Sequence, residues 1–299
     1  MRKTKRRIKE SIGRRIFVVC NYSFMILFLM IYLFPLINVL AASLSSAAAV
    51  SAGKVVLWPV DFTFNAYLRV LDNPRFLGSI FNSVKRVALG VPINLLMAIC
   101  MAYPLSRSES VFKARKFFMP YLLITMMFYG GLIPSYIVVI KAGLYDTIWS
   151  LILPYAVPAF NVILLLNFFR ELPKEIEESA FIDGAGHWTV LFKIYLPLSK
   201  AVLATLTLFF FVYHWNSWLD GIIYMRTPEH YPLQSYLQTV LKLPDLKFMT
   251  PQELVEMYKV NQRSVKAAQV FVATLPILLI YPFLQKYFTK GVVLGSVKG

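Results

Sequence analysis

Six stretches of this chain run for 19 residues or more without a single Asp, Glu, Lys or Arg: Ile16–Gly53, Val87–Ser106, Phe117–Ile140, Thr147–Phe169, Ala201–Leu219 and Ala267–Gln285. An α-helix rises about 1.5 Å per residue, so about 20 apolar residues cross the roughly 30 Å hydrocarbon layer of a bilayer. A core helix of a soluble domain is shorter and keeps a polar face. The spacing therefore predicts an all-α integral membrane protein with six transmembrane helices. Composition agrees: only 15% of the 299 residues are charged, against about 25% in soluble domains. The 58% of apolar residues excludes a disordered chain. The two cysteines, Cys20 and Cys100, both lie inside apolar windows and are too few for a disulfide scaffold, so they read as small packing residues.

The first window, at 38 residues, is too long for one span. Its helix is placed at residues 16–40, with 41–53 as a loop. A basic stretch followed by an apolar run and then Ala41-Ala42 or Ala47-Ala48-Ala49 is also the pattern of a secretory signal. The apolar run is well beyond the about 7–15 residues of a signal core, however, so the helix is expected to be retained.

The formal net charge is +16, and its distribution decides what it means. Residues 1–15, 107–116 and 170–200 and the tail from Lys286 hold 19 basic and seven acidic residues, a net of +12, and the rest of the chain holds +4. Lys and Arg concentrate in cytoplasmic loops, which puts the N-terminus, the even loops and the C-terminus in the cytoplasm. Six helices also require both termini on one side. The basic excess is thus a topology signal and not a nucleic-acid footprint. The chain divides into a basic N-terminus (1–15), a first helix (16–40), a five-helix core (77–288) and a tail (289–299).

Two segments sit against that pattern. Lys85 and Arg86 precede the second window on the outer side, and are expected to snorkel from a helix starting near Leu77. The outer loop Arg226–Lys266 has six basic residues, and long loops escape the rule. It contains Thr250-Pro251-Gln252-Glu253, a capping box with Pro at the first helical position, which predicts a helix from Pro251. The loop is placed either to meet a solute-binding protein or to cover the helix bundle.

Residues 170–200 do not read as a connector. Pro173 can open a helix, Glu175 suits its N-terminal dipole, and Ile176, Ala180 and Asp183 fall on one face. Gly184 supplies a stop. Trp188, Leu191, Phe192 and Tyr195 then form an i, i+3, i+4, i+7 apolar stripe that Pro197 ends. With four basic residues against five acidic ones, this is the one net-acidic cytoplasmic segment. Such a helix–turn–helix outside the bilayer is either a docking surface for a soluble partner or an interfacial amphipathic hairpin without one.

Glu178-Ser179-Ala180, then Gly184, then nine residues, then Ile194-x-Leu196-Pro197 resembles the EAA loop of ABC importer permeases, E-A-A-x3-G-x9-I-x-L-P. Ser179 for Ala is the single departure, and is small. The tail from Gln285 is similar to carbohydrate permeases like the smaller subunit of the maltose transporter. Gly130-Gly131-Leu132-Ile133-Pro134 and Tyr231-Pro232-Leu233-Gln234 look like the branch for complex polysaccharides and oligosaccharides. The resemblance implies a type I ABC importer permease fold in the cell membrane, translocating a sugar. It implies three kinds of partner: a cytoplasmic ABC ATPase dimer, a second homologous permease and an extracytoplasmic solute-binding protein. Glu178, Ser179, Ala180, Gly184, Ile194, Leu196 and Pro197 would couple to the ATPase, Glu178 by pairing with a basic residue there and Gly184 by setting the bend.

The chain has no G-x4-G-K-[ST], the nearest string being Gly53-Lys54-Val55. His187, His214 and His230 lack ligand spacing, and no Ser sits in G-x-S-x-G. No cofactor or enzymatic activity is therefore expected in this chain, and ATP hydrolysis falls to a partner. The rival readings are a secondary transporter, which would need intramembrane acids or broken repeated helices, and a non-transporting membrane enzyme or scaffold. No acid lies inside the six windows.

The densest polar cluster is Tyr213 through Asp220. Helical spacing places His214 and Trp218 on one face, with Trp215 further round. His214, Trp215, Asn216 and Trp218 are substrate-pathway candidates, since aromatic faces and amides suit sugars. An aromatic belt at the membrane interface is the alternative. Phe128–Pro134, and Pro154, Pro158 and Asn161, read as cavity-lining or as kinks.

Overall fold

In a computed structural model, the structure describes residues 11–128, 130–241 and 263–295. All regular elements among the described residues are helical. They fall into two compact units, Met1–Val70 with Asp245–Val272 and Leu71–Pro244 with Ala273–Gly299.

The first unit is dominated by α1 (Ile12–Ser43), capped by Ser11, whose hydroxyl accepts the Arg14 N–H at 3.3 Å. The helix is apolar all round, and most of its length is exposed: Phe24, Met30 and Tyr32 are each at least 60% exposed. An all-round apolar helix without protein cover belongs in lipid or against another chain. The helix is longer than the 16–40 expected. Residues 41–53 are not simply a loop, since Ser46 caps a short α2 (Ala47–Ser51) through the Ala49 N–H. Ser45 locks the turn by donating to Ala41 O at 2.6 Å and accepting the Val60 N–H at 3.0 Å. Then comes α3 (Asn65–Leu71).

The second unit is built on α4 (Pro74–Ser106). Asn73 caps it by accepting the Arg75 and Phe76 N–H groups, and Pro74 occupies the first turn, where no donor is lost. The helix begins thirteen residues before its charge-free window. Its first turns bury Phe76, Ser79, Ser83 and Arg86 along one side. Serine is small enough for close approach there, and Ser83 Oγ accepts the Leu233 N–H of α13 (Leu233–Leu241) at 2.7 Å. Further along, α4 packs on α7 (Ala159–Glu171) and α11 (Lys200–Asn216) around Ala98, Ala102, Leu165, Leu166, Phe169, Leu206 and Phe210.

The window 117–140 is not one helix. It divides into α5 (Arg115–Met127) and α6 (Leu132–Lys141), and Gly131 takes a φ of +91° at the break. The fourth window is bent by 49° between two short 3₁₀ turns, Ile148–Leu151 and Leu153–Tyr155, and α7. Pro158 has no N–H to continue a helix there. Residues 170–200 form α8 (Lys174–Ile182), α9 (His187–Val190), a π turn (Leu191–Tyr195) and α10 (Leu196–Leu198). An 81° bend at Ser199 then leads into α11. The fifth helix stops at Asn216, short of the expected Leu219, and α12 (Leu219–Tyr224) follows. The last helix, α14 (Arg263–Gly295), spans both units.

Among the described residues, three helices, α1, α4 and the Arg263–Pro282 part of α14, are long and apolar enough to cross a bilayer. The number is five if each bent pair is one span. The capping box Thr250–Glu253 lies outside the described residues.

Candidate functional site

Two polar assemblies stand out in the second unit, one in the 170–200 loop and one buried among α4, α11 and α12.

In the loop, α8 ends as the sequence predicts. Gly184 adopts φ +82°, the Ala185 N–H bonds Ala180 O at 2.9 Å, and the Gly184 N–H bonds Phe181 O at 3.0 Å. This is the paired 6→1 and 5→2 pattern of a Schellman stop, and it needs a left-handed residue that glycine supplies without strain. Glu178 and Ser179 are exposed on α8, with Ser179 Oγ donating to Ile176 O. Ala180 turns inward and packs on the core with Ile194 and Leu196, whereas Pro197 is exposed. The motif residues thus split into an outward pair and an inward set that seats the loop.

The expected four-residue stripe does not form one face. Leu191 and Tyr195 are buried, while Trp188 and Phe192 are 68% and 56% exposed and stack on each other at 6.0 Å. Two i, i+4 pairs point opposite ways because the backbone widens into a π turn at Leu191–Tyr195. Ile182, at 86% exposed, adds to the outward apolar surface.

Beneath the loop lies a network that the sequence did not reveal. Glu177, next to the exposed Glu178, turns inward to form an ion pair with Arg107, the residue that ends α4. The Tyr195 hydroxyl donates to the other Glu177 carboxylate oxygen at 2.5 Å, and Arg107 Nη1 donates to the Tyr195 hydroxyl at 3.1 Å. The guanidinium lies 4.2 Å from the Tyr103 ring centroid and 4.6 Å from that of Tyr195, a cation–π sandwich. The Tyr103 hydroxyl donates to His187 O at 3.1 Å. Burial works against the Arg107 cation, but the Glu177 hydrogen bond and the surrounding charges outweigh it and hold its pKa above the ordinary value.

The second assembly centres on Arg86, which has no exposed surface. It does not snorkel. It is paired with Asp220 in α12, donates from Nη2 to Leu151 O at 3.3 Å and from Nη1 to Ser217 O at 3.4 Å, and gives its Nε–H to His214 Nδ1 at 3.3 Å. A buried charge needs such a partner, because snorkelling requires a path to water that the packed helices close. With Nδ1 accepting, the His214 proton lies on Nε2, which donates to Asn94 Oδ1 at 2.6 Å. Asn94 Nδ2 in turn donates to Tyr155 O and Ala156 O, carbonyls freed at the bend of the fourth span. The chain of bonds therefore runs from a charge pair to a broken helix and satisfies its open carbonyls. Gly90 lies flat against the imidazole: a Cβ there would come within 2.6 Å of Cε1.

His214 and Trp215 are accordingly occupied inside the protein, the Trp215 indole donating to Ala273 O at 2.9 Å. Asn216 is exposed at the end of α11, and Trp218 is half-buried beyond it. His214 and Trp218 do not share a helical face, because Ser217 is extended (ψ 127°) and its carbonyl turns to Arg86. A polar recess of about 190 Å³, lined by Asn82, Lys85, Asp146, Ile148, Met225 and His230, opens elsewhere in the unit. Asp146 accepts from His230 Nδ1 at 2.9 Å and from the Arg226 N–H at 3.0 Å. The hydrogen bond from His230, joined by the one from Arg226, holds the Asp146 carboxyl below the usual range.

The chain as a whole is similar to known transport proteins. Residues 77–294 match the family described as binding-protein-dependent transport system inner membrane component. Protein LplC of Bacillus subtilis (strain 168) is 40% identical over 285 residues, covering 95% of this chain and 96% of that one. The polygalacturonan/rhamnogalacturonan transport system permease protein YtcP of the same organism is 37% identical over 285 residues, covering 95% and 99%. A subunit in the crystal structure of a bacterial ABC transporter that imports the acidic polysaccharide alginate superposes with a TM-score of 0.85 at 33% identity, covering 94% of this chain and 99% of that one. With a family match over most of its length and full-length relatives at this identity, the chain belongs to the binding-protein-dependent transport system inner membrane components, the permeases of ABC importers.

Proposed function

We propose that this chain is the permease subunit through which a sugar or oligosaccharide, a fragment of an acidic polysaccharide, enters the cell. A solute-binding protein delivers the substrate outside, a second homologous permease completes the pathway, and a separate ATPase dimer drives it through the 170–200 loop. The carrying observation is that loop. Its Glu178-Ser179-Ala180 and Gly184 motif sits on a built Schellman turn, with Trp188, Phe192 and Ile182 exposed beside it. An acidic, apolar surface held on a packed base suits a cytoplasmic partner with a basic rim and an apolar cleft. The substrate class is supported by the relatives: proteins similar to this chain over 94–95% of its length include a polygalacturonan/rhamnogalacturonan permease and an alginate importer subunit.

In this reading the broken third window and the bent fourth and fifth count as one span each, giving six helices with both termini in the cytoplasm. Asp220 and Asp146, the acids that directly flank the fifth and fourth windows, are paired with Arg86 and His230, which argues against the proton coupling a secondary transporter would need. Asn216 and Trp218 stay as sugar-facing candidates, while His214 and Trp215 hold them in place.

The test is purification of the tagged chain from its native membrane. The expected result is co-purification of an ATPase and a second permease, with the matching solute-binding protein selecting uronate-containing oligosaccharides in a binding screen. Recovery of the chain alone under conditions that preserve known importers would sink the subunit reading. Selection of an amino acid or metal would sink the substrate class. Cysteine labelling from each side of the membrane, at Met1 and Lys298, checks the topology.

A further inference from the structure

We propose that Arg107 and Glu177 are positioning residues that clasp α8 to the end of α4, so that the coupling helix and α4 move as one body. The inference rests on reading the 170–200 loop as the contact with an ATPase. Along the chain, α8 is joined to α7 by Leu172 and Pro173, and α10 continues into α11; α4 is connected to neither limb of the loop. A push on α8 carried by the backbone alone would reach α7 and α11. The clasp adds α4. It grips both limbs: Arg107 holds Glu177 on α8 and the Tyr195 hydroxyl on the second limb, where Tyr103 of α4 adds a hydrogen bond to the His187 carbonyl.

Three features separate this pair from an ordinary surface salt bridge, which contributes little. First, Arg107 is 9% exposed and the Glu177 side chain 14%, so neither ion can trade its partner for bulk water without moving the helix. Second, the guanidinium is fixed between two aromatic faces, so it cannot swing to follow a retreating carboxylate. Third, the neighbouring carboxylates divide the work. Glu178 and Glu177 lie about 100° apart on α8; Glu178 faces outward, free for a partner, and Glu177 faces α4. One turn of helix therefore receives the push on one side and passes it on from the other.

The test uses the complete importer in lipid nanodiscs. Cys20→Ala leaves the exposed Cys100 of α4 as the single native thiol. A second spin label goes on Lys174→Cys, at the exposed start of α8. Pulsed electron resonance then reads the α4–α8 distance without nucleotide and with ATP plus vanadate. The clasp predicts one narrow distribution that is the same in both states. Glu177→Gln and Arg107→Met are expected to broaden it and make it nucleotide-dependent, while Arg107→Lys, which keeps a cation between the rings, restores most of the narrow form. Should Glu177→Gln fail to assemble, Tyr195→Phe keeps the ring, loses the hydroxyl bonds and serves the same test. The proposal is overturned if the parent distribution itself changes with nucleotide, or if the variants match the parent. Co-purification of the ATPase is scored separately in every variant. Its loss from the parent sinks the functional reading, whereas its retention beside an unchanged distance sinks only the clasp.

Discussion

Arg86 and Asp220 are separated by 134 residues of sequence, yet they form an ion pair whose arginine has no solvent contact. Removing one member of such a pair leaves an uncompensated buried charge, at a cost of about 3–5 kcal/mol, while removing both often costs far less. Asp220→Ala should therefore lower the thermal unfolding midpoint of the detergent-purified protein sharply. The double variant Arg86→Met/Asp220→Ala should recover more than half of that loss. Additive losses in the double variant would contradict the pairing.

Gly90 is required by the imidazole that lies against it. A methyl group there meets His214 ring atoms at 2.6 and 2.7 Å, and overpacking of this kind costs about 1–3 kcal/mol. Gly90→Ala should destabilise the protein, and His214→Ala in the same chain should relieve part of the effect. The coupling between the two, measured as a double-mutant cycle, is the check.

Gly184 and Gly186 provide a matched comparison. A Cβ at either meets nothing within 4 Å, but Gly184 has φ +82° and Gly186 has φ −82°. Gly184→Ala should cost about 1–2 kcal/mol through the left-handed backbone alone, and Gly186→Ala close to nothing. Hydrogen exchange of the Ala185 amide, which bonds Ala180 O, should rise in the first variant and stay put in the second.

The exposed aromatic pair is expected to be the energetic centre of the ATPase contact. Trp188→Ala and Phe192→Ala should each weaken binding by about 2 kcal/mol, or about thirty-fold in Kd. Folding should be unaffected, since both side chains are outside the core. Surface titration of purified ATPase against nanodisc-held permease measures this, and wild-type affinity in both variants would remove the pair from the interface.

Asp146 gives a pH-dependent element. Its carboxyl is held below the ordinary value of 3.8, first by the His230 hydrogen bond and then by the Arg226 N–H. A depressed folded pKa contributes stability that is present above the unfolded pKa and is lost as pH falls through the lower folded value. The link from the 146 loop to residues 226–230 should therefore hold at neutral pH and loosen only in strong acid. His230→Gln should move the Asp146 midpoint back up, readable by isotope-edited infrared spectroscopy of the carboxylate.

Local features of this protein were legible from sequence because their causes are local. Charge-free windows marked the apolar helical stretches, though not their breaks or ends, and Gly184 six residues after Glu178 marked the helix stop. What escaped depends on pairings between distant residues. Arg86 looked like a misplaced charge near a membrane edge because its partner lies in another helix. Glu177 looked like one more acid on a partner-facing helix, and only its register toward Arg107 distinguishes it from Glu178. The breaks at Phe128–Gly131 and at Pro158 were hinted by Gly and Pro but not fixed by them, since either residue can also sit in a continuous kinked span. The fate of His214 and Trp215 was open for the same reason: polar aromatics serve a core and a binding surface equally well, and packing decides.

Helix α4 joins the two polar assemblies, Arg86 near its beginning and Arg107 at its end. The 21 residue steps between them span about 31 Å, close to the hydrocarbon thickness of a bilayer. Each arginine must face a fixed partner, so what this stretch has to conserve is its count rather than its letters. Many apolar exchanges on its exposed side are tolerable. One inserted or deleted residue would turn one arginine about 100° away and shift it about 1.5 Å relative to the other. In comparisons among relatives that keep both arginines, the interval between them should vary in composition and never in length.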